Sequence, residues 1–277
     1  MTPYRFRGGT ALVTGAASGI GAALTTDLAS RGSGLVLLDR DEEGLARVAE
    51  LAARRGVPVR TVVTDLADRA ATRETGTRVA REHPELTLLV NNAGVALGGR
   101  FEDLTLDEFE WLLDIDLHAP VALTSALLPV LLASPGSHLV NVSSIFGIVA
   151  PPGQTAYSTA KFGLRGFTEA LGGELAGRVG VTVVHPGGIR TRIAEHARLA
   201  AGLDPAEAQR GREAVARLLT IPPRVAAERI LEGVERRRPR VLIGTSAVLP
   251  DLAARIAPVL TQRVFARGVR RAGAPGL

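Results

Sequence analysis

Tyr157 and Lys161 are the residues of this sequence whose type and spacing first suggest chemistry. They lie four residues apart in a stretch with helical periodicity, so their side chains should share one face of a helix, about one turn apart. The chain has 33 Lys and Arg residues, and Lys161 is the only lysine among them. Because lysine carries a compact ammonium and arginine a wide planar guanidinium, position 161 is expected to require the compact group.

A phenol beside an ammonium can exchange a proton with a carbonyl or an alcohol. A free phenol titrates near a pH of about 10, and a neighbouring ammonium favours the phenolate and lowers this pKa. Ser144, which ends the fifth predicted strand, could hold a substrate oxygen by a hydrogen bond. Tyr-x-x-x-Lys pairs are also common on helix surfaces, but this one uses the only lysine and one of two tyrosines. That scarcity favours the catalytic interpretation.

A glycine-rich turn follows the first predicted strand and opens a helix. Gly15, Gly19 and Gly21 would let the backbone approach a pyrophosphate at the N-terminus of that helix, although such turns also serve packing alone. Asp39 ends the second predicted strand, eighteen residues after Gly21. A carboxylate at this distance can bind the hydroxyls of an adenosine ribose, and its alternative role is to cap the next helix.

These residues are expected to be positioned by alternating strands and helices. The predicted strands are near-continuous apolar runs, as strands buried on both faces should be: Thr10–Thr14, Leu35–Asp39, Val57–Val63, Leu86–Val90, His138–Val142, Val181–Val184 and Val241–Ile243. The predicted helices are Ile20–Arg31, Glu42–Arg55, Arg69–Glu82, Thr105–Leu132, Ala156–Ala176 and Arg224–Arg237. This order predicts right-handed βαβ units and an α/β fold, a doubly wound parallel sheet of about seven strands with helices on both faces.

Composition excludes several classes of protein. The 277 residues, 46% hydrophobic and 22% charged, predict a single globular domain over 1–277. There is no apolar run of about 18 residues and no signal peptide, so we expect a cytoplasmic protein without a transmembrane segment. The absence of cysteine excludes disulfides and thiolate-bound metal, and no histidine spacing suggests a metal site. The net charge of +5 raises the question of nucleic acid, but most arginines are scattered among acids, so we expect no nucleic-acid partner.

Together these motifs resemble the short-chain dehydrogenase/reductase family over roughly residues 9–191. The matching motifs are, in order, Thr14-Gly15-x-x-x-Gly19-x-Gly21, Asp65 after the third strand, Asn91-Asn92-Ala93-Gly94, Ser144 thirteen residues before Tyr157, Tyr157-x-x-x-Lys161, and Pro186-Gly187 with Thr191. The resemblance implies a Rossmann-type domain and an NAD(P)-dependent oxidoreductase that transfers a hydride between nicotinamide and a secondary alcohol or ketone. A catalytically silent dinucleotide-binding sensor or scaffold is the alternative.

The resemblance also assigns roles to residues. Tyr157 would be the acid/base, Ser144 would position the substrate, and Lys161 would bind the nicotinamide ribose and tune Tyr157. The expected cofactor contacts are Gly15, Ser18, Gly19, Ile20, Gly21, Asp39, Arg40, Asp65, Leu66, Asn91, Ala93, Gly94, Tyr157, Lys161, Pro186, Ile189 and Thr191. Many members of the family are homodimers or homotetramers built on the two long helices, here Thr105–Leu132 and Ala156–Ala176.

Asp116 departs from the family pattern, which usually has an asparagine at this place in an Asn-Leu pair; this chain has Asp116-Leu117. An ionised aspartate accepts hydrogen bonds but cannot donate one, and its charge near Lys161 would raise the lysine pKa. Asp116 is therefore expected to act in a retuned proton relay beside the catalytic residues, with a purely structural role as the alternative.

Cofactor and substrate preferences follow from a few more residues. Asp39 would repel a 2′-phosphate, so NAD is favoured, although Arg40 could offset this repulsion and keeps NADP open. The residues expected to border the substrate are mostly apolar, so a hydrophobic alcohol or ketone is favoured, and the segment 190–222 is expected to form a lid. These bordering residues are Leu97, Ile145, Phe146, Val149, Ala150 and Pro151.

The segment 245–277 is a basic amphipathic extension beyond the last strand. It could pack on its own subunit, enter an oligomer interface or lie on an anionic membrane surface. Pro250 and Pro258 predict two short helical pieces, which suits a continuous interfacial helix less well. Packing on the protein or a partner subunit is therefore ranked ahead of peripheral membrane contact.

Overall fold

The computed structural model describes residues 1–193 and 195–271. Within them the strands are β1 (Thr10–Thr14), β2 (Gly34–Asp39), β3 (Val59–Val63), β4 (Leu86–Asn91), β5 (Leu97–Gly98), β6 (His138–Val142), β7 (Gly180–Pro186), β8 (Arg198–Leu199) and β9 (Arg240–Ile243). The helices are α1 (Gly19–Ser30), α2 (Glu42–Ala53), α3 (Arg69–Glu82), α4 (Leu106–Leu113), α5 (Ala119–Ala133), α6 (Thr155–Glu174), α7 (Pro205–Leu218), α8 (Pro223–Glu235), α9 (Thr245–Ile256) and α10 (Pro258–Arg271).

The seven long strands form one parallel sheet in the order β3-β2-β1-β4-β6-β7-β9. The strand order reverses between β1 and β4, the place where open α/β sheets bind ligands beyond their carboxyl ends. The predicted Rossmann-type fold is confirmed. β5 and β8 form a separate parallel pair beside it.

The core lies on both faces of this sheet because successive strand residues point to opposite sides. Val13 of β1 joins the cluster under α1 and α8, which contains Leu28 and Ile230. Leu12 joins the opposite cluster, which contains Leu127 of α5 and Leu171 of α6. All but Leu171 are fully buried.

Side-chain caps fix where several helices begin. Asp41 accepts from the Gly44 N–H at the start of α2, and Asp68 accepts from the Ala70 and Ala71 N–H groups at the start of α3. Thr105 forms a capping box with Glu108 at the start of α4, each side chain bonding the other's backbone N–H. These polar residues therefore define the N-termini of α2, α3 and α4.

The expected helix Thr105–Leu132 is wrong in one respect. The π-helical turn Asp114–His118 separates α4 from α5. A π-turn adds one residue to a helix, so it changes which side chains face inwards, and such turns often occur at functional sites. Here Ile115 and Asp116 are the buried residues of the turn.

The helical stretch Leu106–Ala133 is long and apolar enough to cross a membrane, although no uninterrupted apolar run of this length is visible in the sequence. In this fold 44% of its most apolar part is buried. Leu123, Leu127 and Leu131 of α5 are fully buried in the clusters beside the sheet. The buried apolar side chains of this helical stretch thus form part of the core of the domain.

The segment 245–277 begins as two helices, as expected, but only one of its two prolines lies at the break between them. Pro250 lies inside α9, and the chain breaks at Ala257, before Pro258. Proline removes the hydrogen bond to the carbonyl four residues earlier, here that of Ser246. Ser246 is exposed, so water can bind its carbonyl in place of the missing N–H. Residues 272–277 lie outside the described part.

Candidate active site

The glycine turn between β1 and α1 has a backbone that only glycine adopts readily. Gly15 and Gly19 have φ angles of +67° and +54°. A Cβ on Gly21 would lie 1.9 Å from the Gly15 carbonyl oxygen, so the close approach of turn and helix requires a glycine there. Ser18, the N-cap residue, makes no side-chain capping bond, and the first turn of α1, which includes Ile20, has no acidic residue. The N–H groups of this helix end are thus free to bind an anion.

Asp39 lies at the end of β2 and reaches back to the glycine turn. Its Oδ2 accepts from the Ala17 N–H at 2.9 Å, and its Oδ1 accepts from the Asp41 N–H at 3.1 Å. Each carboxylate oxygen can accept a further hydrogen bond, so a hydroxyl group could still bind. Arg40, the next residue, is exposed.

Asn92 and Thr14 hold this turn against β4, a role that the sequence analysis missed. The Thr14 hydroxyl accepts from the N–H groups of Asn92 and Ala93, both at 3.0 Å. The Asn92 side chain donates to the Thr14 carbonyl at 2.9 Å. The pair Asn91-Asn92 was visible in the sequence. Which of the two contacts the glycine turn depends on the direction in which each side chain points from the end of β4, and the sequence does not show this.

Asn91 itself faces the interior. Its amide donates to Asn141 Oδ1 at 2.8 Å and to the Thr124 hydroxyl at 3.1 Å, which ties β4 to β6 and α5. The side chain is therefore used in the layer between sheet and helix. Any contact of position 91 with a cofactor would have to come from its backbone.

Ser144, Tyr157 and Lys161 meet just beyond the carboxyl end of β6. Ser144 caps the short 3-10 helix Ile145–Gly147 through its Oγ, which accepts from the Phe146 N–H at 3.1 Å, and its side chain is close enough to Tyr157 to act on the pKa of the phenol. The Lys161 ammonium lies 5.5 Å from the centre of the Tyr157 ring. Tyr157 and Lys161 share one face of α6, as their spacing predicted.

Asp116 joins this group from the π-turn. Its Oδ2 lies 3.0 Å from the Lys161 Nζ, and its Oδ1 accepts from the Val95 N–H at 2.8 Å. Lys161 also donates to the Val142 carbonyl at 3.3 Å. Both charged side chains are buried, so the ammonium is held between a carboxylate and a carbonyl, away from bulk solvent.

Gly94 leaves space for the ammonium. A Cβ at this position would lie 3.2 Å from the Lys161 Nζ and 3.5 Å from the Asp116 carboxylate oxygens. The last residue of the Asn91-Asn92-Ala93-Gly94 motif therefore lies beside the ion pair of Asp116 and Lys161.

Burial and the neighbouring charges shift the pKa values of Lys161, Tyr157 and Asp116 in different directions. Burial alone would lower the pKa of Lys161, but Asp116 and Tyr157 raise it above the ordinary value for lysine. Burial raises the pKa of the Tyr157 phenol; Lys161 and the Ser144 side chain act to lower that pKa, and Asp116 acts to raise it. Burial also raises the pKa of Asp116, and the Lys161 ammonium opposes that shift.

His185 on β7 holds the backbone of Ser144. Its Nδ1 is 2.9 Å from the Ser144 carbonyl oxygen, so the proton of the neutral ring is placed on Nδ1. Burial lowers the pKa of His185 to about 4. The ring is thus neutral at physiological pH and serves as a fixed donor, a role that no sequence spacing revealed.

The remaining expected cofactor residues lie along the same edge of the sheet. Thr191, beyond the end of β7, is close to the glycine turn, since its methyl carbon would lie 3.0 Å from a Cβ on Gly19. Pro186 and Ile189 are buried in the connection to Thr191. After β3, Asp65 is exposed and accepts from the Ala67 N–H at 2.9 Å. Leu66 packs in the cluster with Leu38, Ile115 and Leu123.

The segment 190–222 leaves the end of β7 and returns to it. The Arg190 N–H donates to the Ile221 carbonyl at 2.8 Å, which joins the two ends of the segment. Between them β8 pairs with β5, and the Ala200 N–H donates to the Gly98 carbonyl at 2.8 Å. The segment is therefore attached on the Leu97 side of the site before α7 begins.

An open depression of about 470 Å³ lies elsewhere. It is lined by Ala150, Pro151, Thr155, Ser158, Phe162 and their neighbours, on a different face of α6 from Tyr157 and Lys161. It is therefore not the site described above. Among the described residues, no group of three or more His, Cys, Asp or Glu side chains is placed to hold a metal ion.

Comparison with known proteins agrees with this arrangement. A family profile described as short chain dehydrogenase matches residues 9–201. SadH of Mycobacterium tuberculosis strain H37Rv, an oxidoreductase by name, is 40% identical over 270 residues, which cover 96% of this chain and 97% of SadH.

Two solved structures give the same result for the fold. A short-chain dehydrogenase/reductase from Burkholderia phymatum in complex with NAD superposes with a TM-score of 0.83 at 26% identity, covering 94% of this chain and 97% of that one. A short-chain dehydrogenase from Sphingobium yanoikuyae in complex with NADPH superposes with a TM-score of 0.75 at 28% identity, covering 91% and 95%. This chain belongs to the short-chain dehydrogenase/reductase family.

Proposed function

We propose that this protein is an NAD(P)-dependent oxidoreductase that interconverts a secondary alcohol and a ketone, with Tyr157 as the acid/base. The observation that carries the proposal is the meeting of Ser144, Tyr157 and Lys161 at the carboxyl edge of the sheet, beside the motif that ends at Gly94. A silent dinucleotide-binding protein would need the glycine turn and Asp39, but it would have no use for this second group.

The residues around the glycine turn fit a dinucleotide. The uncapped N-terminus of α1 would hold the pyrophosphate, and Asp39 would accept from the adenosine ribose. Asp65 and Leu66 would lie by the adenine, and the connection through Ile189 and Thr191 by the nicotinamide amide. The bound cofactor would supply or accept the hydride. The charge of Asp39 favours NAD, and the exposed Arg40 leaves NADP as the alternative. Of the two similar solved structures, the Burkholderia phymatum protein is in complex with NAD and the Sphingobium yanoikuyae protein is in complex with NADPH.

The protein's own groups would handle the proton. In the reductive direction the Tyr157 hydroxyl donates its proton to the carbonyl oxygen, and in the oxidative direction its phenolate accepts one. The Ser144 hydroxyl donates a hydrogen bond to the substrate oxygen and stabilises charge that develops there. Lys161 binds the nicotinamide ribose and favours the phenolate of Tyr157, and Asp116 holds Lys161 in place.

The substrate is proposed to be hydrophobic. Phe146 packs edge-on against Tyr157, with the ring centres 6.1 Å apart. Leu97 and Val149 are also buried apolar residues. Leu97 lies in β5, which pairs with β8 of the segment 190–222, and this segment would close over the substrate. Apolar surroundings favour a ketone or alcohol with large apolar substituents over a sugar or an acid.

We also propose a homodimer or homotetramer in the cytoplasm, assembled through the long helices. Leu132 of α5 and Phe162 of α6 are 41% and 40% exposed, which leaves apolar side chains on those helices for a subunit contact. Light scattering should therefore give at least twice the chain mass, and single chains at micromolar concentration would contradict this assembly.

A substrate screen tests the function. Alcohols and ketones of graded size and polarity are presented with NAD or NADP, and the absorbance of the reduced nicotinamide is followed. We expect turnover with apolar secondary alcohols or ketones. Cofactor binding without turnover of any alcohol or ketone in the screen would favour the silent alternative, and turnover confined to polyols would refute the hydrophobic substrate class alone.

A further inference from the structure

The last two helices leave an apolar surface uncovered. Seven large apolar side chains in the described part of α9 and α10 are between 45% and 75% exposed, and we call them the C-terminal apolar face: Val248, Leu249, Leu252, Ile256, Val259, Leu260 and Val264. Among the described side chains of these helices, the buried ones are Ala247, Asp251 and Thr261. Packing on the protein itself therefore accounts for a narrow inner face only.

The excess charge of the chain lies in the same segment. Five of the 33 Lys and Arg residues come after Asp251, and none of the 28 Asp and Glu residues do. The first 251 residues therefore have no net charge, and the last 26 carry the whole +5. Such a concentration of one sign at the end of a chain indicates a partner of the opposite sign.

The arginines flank the apolar side chains. Arg263 and Arg267 are exposed on α10; Arg263 comes four residues after Val259 and three after Leu260, and Arg267 comes three after Val264, so both arginines border the apolar side of the helix. Asp251 is buried, and its carboxylate is occupied by Arg240 at 2.6 Å and Arg255 at 3.0 Å. The one acid of α9 therefore does not offset the exposed positive charge of α10.

Three occupants could cover this face. A second copy would bring identical arginines towards one another, since a two-fold contact repeats the same patch on both sides. A nucleic acid would pair with the arginines through its phosphates and leave the apolar side chains unused. A bilayer with anionic headgroups satisfies both, because headgroups bind the arginines and the acyl boundary takes the apolar side chains.

We propose that the C-terminal apolar face binds the surface of an anionic phospholipid bilayer. The face is fixed to the body of the protein by Gln262 of α10, whose side chain accepts from the Ala150 N–H at 3.2 Å and donates to the Ala150 carbonyl. This docking does not depend on the proposed enzyme activity.

Cosedimentation with vesicles tests the proposal on the full-length protein. One set contains phosphatidylcholine with about 30% phosphatidylglycerol, and the other contains phosphatidylcholine alone. We expect binding to the anionic vesicles at physiological salt, weaker binding at high salt and little binding to the zwitterionic set. Each arginine lost should weaken partitioning about fivefold, so Arg263→Glu with Arg267→Glu should weaken it by more than tenfold.

Matched variants separate this surface from net charge. Arg73→Glu with Arg78→Glu makes the same change in charge on exposed positions of α3 and should leave vesicle binding within about twofold of wild type. Leu260→Ser with Val264→Ser keeps the charge and should also abolish binding; circular dichroism checks that each variant is folded. The proposal would be overturned if the wild type did not sediment with anionic vesicles, or if the α3 variant lost as much vesicle binding as the α10 charge variant. It would also be overturned, in favour of a contact with a second copy, if no vesicle binding occurred and the Leu260→Ser, Val264→Ser variant had half the wild-type mass in light scattering.

Discussion

The Asp116 carboxylate lies 3.0 Å from the Lys161 ammonium, and both side chains are buried. Where the family usually has an uncharged asparagine, this chain therefore places a full counter-charge on its only lysine. An ammonium that is already paired attracts a nearby phenolate less strongly than an unpaired one. Asp116 thus favours the protonated form of Tyr157, in the same direction as burial.

The Asp116→Asn variant should change the pH dependence of turnover. Asp116 raises the pKa of Tyr157, so removing its charge should lower that pKa. Reduction needs the phenol, and its rate is lost as pH rises through this pKa; the loss should come at lower pH in the variant. Oxidation needs the phenolate, so its rise with pH should also move to lower pH. Measured profiles of kcat/KM in both directions test this.

A purely structural Asp116 would give a different result. The variant would then lose stability or turnover, but both pH profiles would keep their positions. Asp114→Asn is the matched control, since Asp114 lies in the same π-turn but pairs with Arg69 and His118. It should leave the profiles unchanged.

Lys161→Arg should be strongly impaired although it keeps the positive charge. A Cβ added to Gly94 would lie only 3.2 Å from the ammonium, so there is little space beside it, and a wider guanidinium has to displace the Gly94 backbone or Asp116. We expect turnover to fall about a hundredfold, the loss typical of a displacement of about 1 Å at a reacting centre. Steady-state kinetics and calorimetry with NAD test this; an arginine variant equal to wild type in both would refute the requirement for lysine.

Asp39→Ala should narrow or reverse a preference for NAD. Loss of a charged acceptor for the ribose should weaken NAD binding about tenfold or more, and the repulsion of a 2′-phosphate should disappear with it. Calorimetry with NAD and NADP measures both. The neighbouring Asp41→Ala is the control, because Asp41 caps α2 and should affect stability without changing the preference. Tighter binding of NADP by the wild type would mean that Arg40 dominates.

Much of the fold was predictable because buried parallel strands are unbroken apolar runs. β1, β6 and α3 have the predicted bounds, and β3 starts at Val59 where Val57 was expected. The alternation of elements then brought the motifs to one edge of the sheet. Tyr157 and Lys161 share a helix face because their spacing required it, independently of tertiary structure.

The rest depended on tertiary contacts that leave no period in the sequence. The π-turn at Asp114–His118 depends on packing, so the sequence pointed to Asp116 but not to its partner Val95. The strands β5 and β8 are two residues each and pair over a separation of about a hundred residues. His185 holds Ser144 across two neighbouring strands, which no local pattern encodes.

Turnover of Tyr157→Phe, compared with that of Tyr4→Phe, tests the central claim most directly. The chain has two tyrosines, and Tyr4 is buried away from the site with its hydroxyl 2.9 Å from that of Thr87, so both variants lose the same atom. Tyr157→Phe should bind NAD(H) normally and lose at least about a hundredfold in turnover, as expected when the general acid/base is removed. Tyr4→Phe should turn over normally and be less stable to heat. Turnover of Tyr157→Phe close to that of wild type, at equal cofactor affinity, would contradict the assignment of Tyr157 as the acid/base.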